Sequence, residues 1–161
     1  MTALASIKNT LIVNEVAERN RMNFIRSHFA SPSLTMHFEA VYCHLARKGM
    51  IPSFSGGTLD FIEVETEHGT LPVIIPASFL GEGIIANIMF GQEESFPRII
   101  AGIITTALTL VCILDCKEQL RISITDDQQS ALCDMYYALM DAGRCLADQQ
   151  GLSCEFFNFT D

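Results

Sequence analysis

The longest uncharged run in the chain extends from Ile99 to Leu114, inside the stretch SFPRIIAGIITTALTLVCILDC, Ser95 to Cys116. Strands usually span four to eight residues, whereas this run makes more than four helical turns, so its length favours a helix over a single strand. Ser95 is placed to act as N-cap, and Pro97 is tolerated in a first turn that needs no intrahelical donor. The β-branched Ile103, Ile104, Thr105, Thr106 and Val111 oppose a helix through their stiff side chains. A membrane span needs about 20 mostly apolar residues. This run is shorter, carries three threonines and Gly102, and is closed by Arg98 and Asp115. It is read as a central buried helix over about 96–115, apolar on nearly every side because the protein packs around it.

On either side of that run the periodicity alternates between helix and strand. Val16, Met22, Ile25 and Phe29 recur at three- and four-residue steps and predict an amphipathic helix from about Asn14 to Phe29, ended by Ala30-Ser31-Pro32-Ser33. Phe38, Val41, Tyr42 and Leu45 form an i, i+3, i+4, i+7 stripe within a second helix, Thr35 to Lys48, which Gly49 stops. Ile51 to Gly57 reads as a loop. Leu59 to Thr66 then alternates, with Ile62 and Val64 on one face and Leu59 and Phe61 on the other. After the turn residues Glu67-His68-Gly69, Leu71 to Ile75 completes a β-hairpin over about 58–76, and Pro72 marks an edge or a bulge. Both hairpin faces are partly apolar, which predicts a sheet covered on one side and patched on the other.

Ile84 to Phe90 is a short-strand candidate between Gly83 and Gly91, and Leu120 to Ile124 is another. Thr125 with Gln128 forms a capping-box pattern that opens a last helix, about Asp126 to Gln149, carrying Leu132, Met135, Tyr136, Leu139 and Leu146 on one face. The tail Cys154 to Phe159 either docks as a final strand or covers apolar surface. These elements make an α+β fold: one domain, residues 1–161, with a small antiparallel sheet packed against about four helices.

Composition narrows the function. Residues 1–50 carry six Lys and Arg against three acids, a net of +3, and residues 51–161 carry four against sixteen, a net of −12. An acidic surface repels phosphate, so direct DNA binding is disfavoured, although such a surface also raises DNA mimicry as an idea. The N-terminus lacks an apolar region followed by a small-residue cleavage site, which places the chain in the cytoplasm with its six cysteines reduced and no membrane association. Cys112 and Cys116 would share a helix face but lack a partner pair with ligand spacing, so no metal and no cofactor is expected. Phosphate loops, nucleophile elbows and metal-binding His pairs are all missing, and nothing in the motifs calls for an enzyme.

A series of motifs is informative in its order. Arg21-Met-Asn-Phe24-Ile-Arg-Ser-His28-Phe29 resembles the Arg-Leu-x-Phe-x-Pro-x-His-Phe-Gly signature of the ArdB/KlcA family of plasmid antirestriction proteins. Glu39-Ala-Val41-Tyr42 is similar to that family's Glu-x-Leu-Val-Tyr helix, and Gly56-Gly57-Thr-Leu-Asp-Phe61 to its Gly-Gly-Tyr-Trp-x-Phe-Tyr strand. His68-Gly69 through Pro76 sits where the family turns and ends its second strand. Ile100-Ala101-Gly102-Ile103 resembles the opening of its apolar helix, and Asp134 to Ala142 its Tyr-x-x-Leu-Arg-Asp-Tyr-Ala helix. The departures mark a divergent member. Arg26 and Ala30 replace Pro and Gly, Leu59 lies near the place of the strand tryptophan, and the chain contains no Trp.

The resemblance implies antirestriction: protection of incoming plasmid or phage DNA by interference, direct or indirect, with host type I restriction–modification complexes, through protein binding rather than catalysis. The alternative is a repurposed scaffold that binds another anti-defence or toxin target. A cysteine enzyme or metal protein stands as a third class. The partner-binding candidates are Arg21, His28, Glu39, Gly57, Asp60, Phe61 and Asp141. Several have ordinary structural readings: an Arg21–Glu39 ion pair between helices, a backbone need at Gly57, and a solvated strand edge for Asp60, Glu63 and Glu65. The oligomeric state is left open.

Overall fold

The structure is a computed structural model and describes residues 12–20, 24, 27–29, 32–67, 69–87 and 91–161. Three antiparallel strands make the main sheet, in the order β1 (Ile12–Glu15), β2 (Leu59–Thr66), β3 (Gly69–Pro76). A separate hairpin pairs β4 (Glu82–Ala86) with β5 (Glu93–Pro97). The longer described helices are α1 (Pro32–Leu45), α2 (Arg98–Cys116), α3 (Asp126–Gln149) and α4 (Ser153–Thr160). The expected α+β fold and central apolar helix are present.

The hairpin forms where alternation places it. Thr66 pairs with Gly69 across a two-residue loop, and the register continues to Leu59 opposite Pro76. Gly69 takes φ +116°, a conformation that glycine adopts without a Cβ penalty. Alternation puts Ile62, Val64, Val73 and Ile75 on one face and Phe61 and Ile74 on the other, and all six are buried. Pro72 sits in β3, an outer strand, where a missing N–H is tolerated.

α2 closes that outer strand. The Thr106 hydroxyl accepts the Ile74 N–H at 2.9 Å and donates to the Ile74 carbonyl at 3.3 Å, so one side chain satisfies both edge groups of that residue. Gly102, one turn earlier, lets the helix approach the sheet. A Cβ there would lie 2.7 Å from Ile75 Cδ1 and 3.0 Å from Val73 Cγ1. Thr105 donates to the Ala101 or Gly102 carbonyl, which leaves its oxygen to accept the Tyr42 hydroxyl of α1 at 3.0 Å. By length and composition α2 is able to cross a membrane. Every residue from Ile100 to Ala107 is nevertheless buried, and the helix touches β3, β4, β5, α1 and α3.

Several expectations need correction. α2 runs 98–116 rather than 96–115, and Ser95 is not its N-cap. Ser95 lies in β5 opposite Ile84 and donates to Glu82 at 3.1 Å, while Pro97 (φ −51°, ψ 146°) precedes the helix with no side-chain cap. The predicted helix from Asn14 fails at its start. Ile12–Glu15 instead pairs with the open edge of β2, Asn14 Nδ2 donates to Glu65 at 2.9 Å, and Val16 N–H continues the pairing to Phe61. A short turn at Glu18–Asn20 follows, and Phe24 and residues 27–29 are helical. Pro32 opens α1 rather than ending the preceding helix, as its fixed φ permits.

The strand candidate Leu120–Ile124 is irregular because its amides are already engaged. Leu120 and Ile122 N–H bond back to the Cys116 and Lys117 carbonyls and close the end of α2, with Arg121 at φ +56°. The first short strand, expected over Ile84–Phe90, is β4 at Glu82–Ala86. The tail is the helix α4, not a strand, and it covers apolar surface with the buried Phe156 and Phe159. Phe156 reaches α3 at Gly143, where a Cβ would meet its ring at 2.8 Å. The capping box at Thr125 and Gln128 forms with both bonds present, and α3 has the expected bounds.

Two outcomes test this arrangement. Alanine at an ordinary helix position gains about 1 kcal/mol over glycine, but overpacking costs about 1–3 kcal/mol; Gly102→Ala is therefore destabilising in urea unfolding. Thr106→Val, equal in shape, leaves Ile74 N–H and C=O without their partner and costs about 1–3 kcal/mol. A stability equal to wild type in both variants would refute the closure.

Tyr42 supplies a pH test. Burial pushes its phenol well above the ordinary range, an effect that the Thr105 hydrogen bond opposes only in part. The folded state therefore holds a proton that the unfolded state releases near pH 10. The corresponding stability is complete below that pH and is lost as pH rises. With three tyrosines and no tryptophan in the chain, tyrosinate absorbance reads this directly. Tyr42 ionises together with loss of the helical signal, and Tyr42→Phe removes that step. Ionisation of Tyr42 in a chain that keeps its helices would contradict the burial argument.

Candidate partner-binding surface

Helical spacing puts Phe24 and His28 on one side of their segment, and strand alternation puts Phe61 and Glu63 on one face of β2. The two pairs meet. The Phe24 ring stands edge-on to Phe61 at 5.5 Å and to His28 at 4.9 Å, and His28 Nε2 lies 3.3 Å from Glu63 Oε1. The Ser27 hydroxyl donates to the Phe24 carbonyl at 2.9 Å. Beside this cluster an open groove of about 380 Å³ runs between Glu15, Val16, Asn20, Phe24, Ser27 and Glu63. The segment containing Phe24 and His28 is the patch expected on the sheet's second face. Phe24 and Phe29 are buried, Phe29 stacking on Phe38 of α1 at 4.6 Å.

The other candidates lie elsewhere. Asp60 joins Arg98 at 2.7 Å, and Arg98 also donates to the Phe79 carbonyl at 2.9 Å while its own N–H reaches the Gly81 carbonyl at 3.1 Å. This anchors the start of α2 to β2 and to the chain ahead of β4, so Asp60 is a fastening rather than a solvated edge. Gly56 and Gly57, at φ +87° and +114°, are exposed in the loop before β2, which explains them as backbone requirements. Glu39 is exposed on α1, at the edge of the buried stripe that carries Phe38 and Tyr42. Arg21 lies outside the described residues, and with it the expected pair to Glu39.

Asp141 is exposed on α3, with Arg144 Nη1 3.4 Å away, and lines a second open groove of about 450 Å³ against Leu71 of β3. Leu71 pairs with Val64, so its side chain shares the α2 face of the sheet, opposite to Phe61 and Glu63. The structure thus brings His28 and Phe61 together and leaves Asp141 on the far side. Sequence reasoning missed Glu63 as the partner of His28, Arg98 as the partner of Asp60, and Tyr137, which stands 65% exposed beside Asp141. The alternation of β2 carried the signal for Glu63. A spacing of 38 residues hides the Asp60–Arg98 pair from any local pattern.

For chemistry the surface offers little beyond binding. Among the described residues no group of three or more His, Cys, Asp or Glu is arranged to hold a metal. All six cysteines are free. Burial pushes the Cys43 thiol up, with the Glu39 charge adding to it; burial also raises Cys112, helped by Cys116 and Asp115. Neither is an activated nucleophile.

No protein-family model and no curated protein sequence matches the chain. A solved structure does match, one described as showing that the KlcA and ArdB proteins have a novel fold and antirestriction activity against type I DNA restriction systems in vivo but not in vitro. The similarity has a TM-score of 0.62 at 23% sequence identity and covers 89% of this chain and 93% of that one. With the elements matched over nearly the full length of both, this chain has the fold of the KlcA and ArdB proteins.

Proposed function

We propose that this protein is an antirestriction protein that protects incoming plasmid or phage DNA by interfering with host type I restriction–modification complexes in the cytoplasm. The observation that carries the reading is the near full-length likeness to a structure described with antirestriction activity against type I systems. It is joined by the ordered motifs from Arg21 to Asp141. The action is protein binding rather than catalysis. Cys43 and Cys112 have raised thiols, and the described residues that the fold assembles form open grooves rather than a nucleophile–base pair. Activity in vivo but not in vitro, as described for the neighbour, favours a route in which the effect on the complex is indirect or needs a further cell component.

A strand tryptophan lost from a contact surface would favour the alternative target. Leu59, near that place, is buried at the end of β2 opposite Pro76. The position near the lost tryptophan is therefore core in this chain, which supports the first reading. Unmodified phage plated on hosts carrying each type I restriction family, with and without this protein, tests it. Plaque numbers rise toward those on a non-restricting host, while modified phage is unaffected; no change across all type I families would overturn the proposal.

A further inference from the structure

The groove between β3 and α3 has a built-in selectivity. Its floor is apolar, from Leu71, Met135 and Ala138, and its rim carries Asp134, Asp141 and the exposed Tyr137. At 1.5 Å rise and 3.6 residues per turn, residues seven apart on α3 stand about 10.5 Å from each other on nearly the same side. Asp127, Asp134, Asp141 and Asp148 are all exposed and follow that seven-residue step along the length of α3. Arg144 is the one basic residue of the helix, and its 3.4 Å contact to Asp141 is exposed at both ends, so an incoming cation displaces it easily.

We infer that this groove holds a cationic helical segment of a protein partner, with an apolar side chain seated over Leu71 and Met135 and Lys or Arg residues at seven-residue spacing against Asp134 and Asp141. The match is geometric as well as electrostatic, since a partner helix repeats its charges at the same 10.5 Å step. Tyr137 supplies the aromatic face on which Arg or Lys settles. Other occupants fit less well. Phosphate-bearing ligands and anionic membranes meet like charge. Strand addition finds Pro72 without an N–H and the edge groups of Ile74 already bonded to Thr106. For the identity of the partner the inference rests on the antirestriction reading; for the chemistry of the groove it does not.

The test uses the purified full chain and a fluorescein-labelled helical peptide with a leucine seam flanked by lysines at seven-residue spacing, with glutamates replacing the lysines in a control. Anisotropy reports binding of the lysine peptide, weaker in high salt, and none of the glutamate peptide. Asp134→Asn with Asp141→Asn, or Tyr137→Ala, lowers affinity at least about tenfold, while Glu93→Gln with Glu94→Gln leaves it unchanged; melting curves confirm that each variant is folded. Absence of binding, equal binding of the two peptides, or equal loss in the Glu93/Glu94 control would overturn the inference. So would self-association abolished by the Asp134/Asp141 variant, which would make a second copy the occupant. A wild-type chain that binds the lysine peptide but restores no plaques leaves the groove standing and removes the antirestriction reading.

Discussion

A three-stranded sheet leaves two outer edges, and an outer edge exposes N–H and C=O groups that invite another chain. In this protein the β3 edge is closed at Ile74 by a single hydroxyl, Thr106, and the closure works only because Gly102 allows α2 to lie against Val73 and Ile75. The rest of the structure depends on that approach. Once α2 is placed, Thr105 fixes α1 through Tyr42, Arg98 fixes the chain ahead of β4, and Ile103 meets Gly143 of α3 at 3.2 Å from an ideal Cβ. The residues that weaken α2 as an isolated helix are the ones that join it to its neighbours. Threonine is a poor helix former, yet Thr105, Thr106 and Thr109 are fully buried and each hydroxyl is hydrogen-bonded.

This explains which parts of the fold were legible in the sequence. The β2–β3 hairpin, α3 with its Thr125 capping box and the stripe of α1 follow from interactions only a few residues apart. Their period and end signals carry the information. Two of the errors fall where a distant segment decided the outcome, and a third where a local turn did. Asn14 reads as the start of a helix until β2 offers an open edge for Ile12 and Val13 to pair with, and Ser95 reads as a cap until Glu82 accepts its hydroxyl. Leu120–Ile124 alternates like a strand, but its amides are drawn back to the end of α2. In each case the local preference is worth less than a backbone pairing or cap that the sequence does not show.

The candidate residues divide in the same way. Phe61 and His28 were named from the family motifs, and strand alternation and helical spacing account for the way the two meet across Phe24. Asp60 was read as a surface acid because Arg98 is far away in sequence, yet their 2.7 Å pair holds the start of α2. Gly57 and Leu59 illustrate the converse. Both belong to motif positions, but a positive φ and a buried strand end account for them without any partner. Removing such residues from the list of contacts leaves His28 with Glu63 on one sheet face and Asp141 with Tyr137 on the other.

Two grooves on opposite faces of a single sheet have a mechanical consequence. The α2 contact stiffens β3 and joins α3 to it, so the Leu71–Asp141 groove has walls fixed by the same packing that closes the sheet edge. The His28–Glu63 side is built differently, from a short helical segment resting on β2 through Phe24. Substitutions in the two grooves share no described partner and act on different faces, so their effects on a bound complex add if both are used independently. A departure from additivity would mean that one partner spans the sheet or that the strands between them move. The buried, doubly bonded Thr106–Ile74 edge opposes the second possibility, because any shift of β3 relative to α2 breaks both hydrogen bonds at once. Coupling between the faces would therefore point to one large partner wrapped around the sheet.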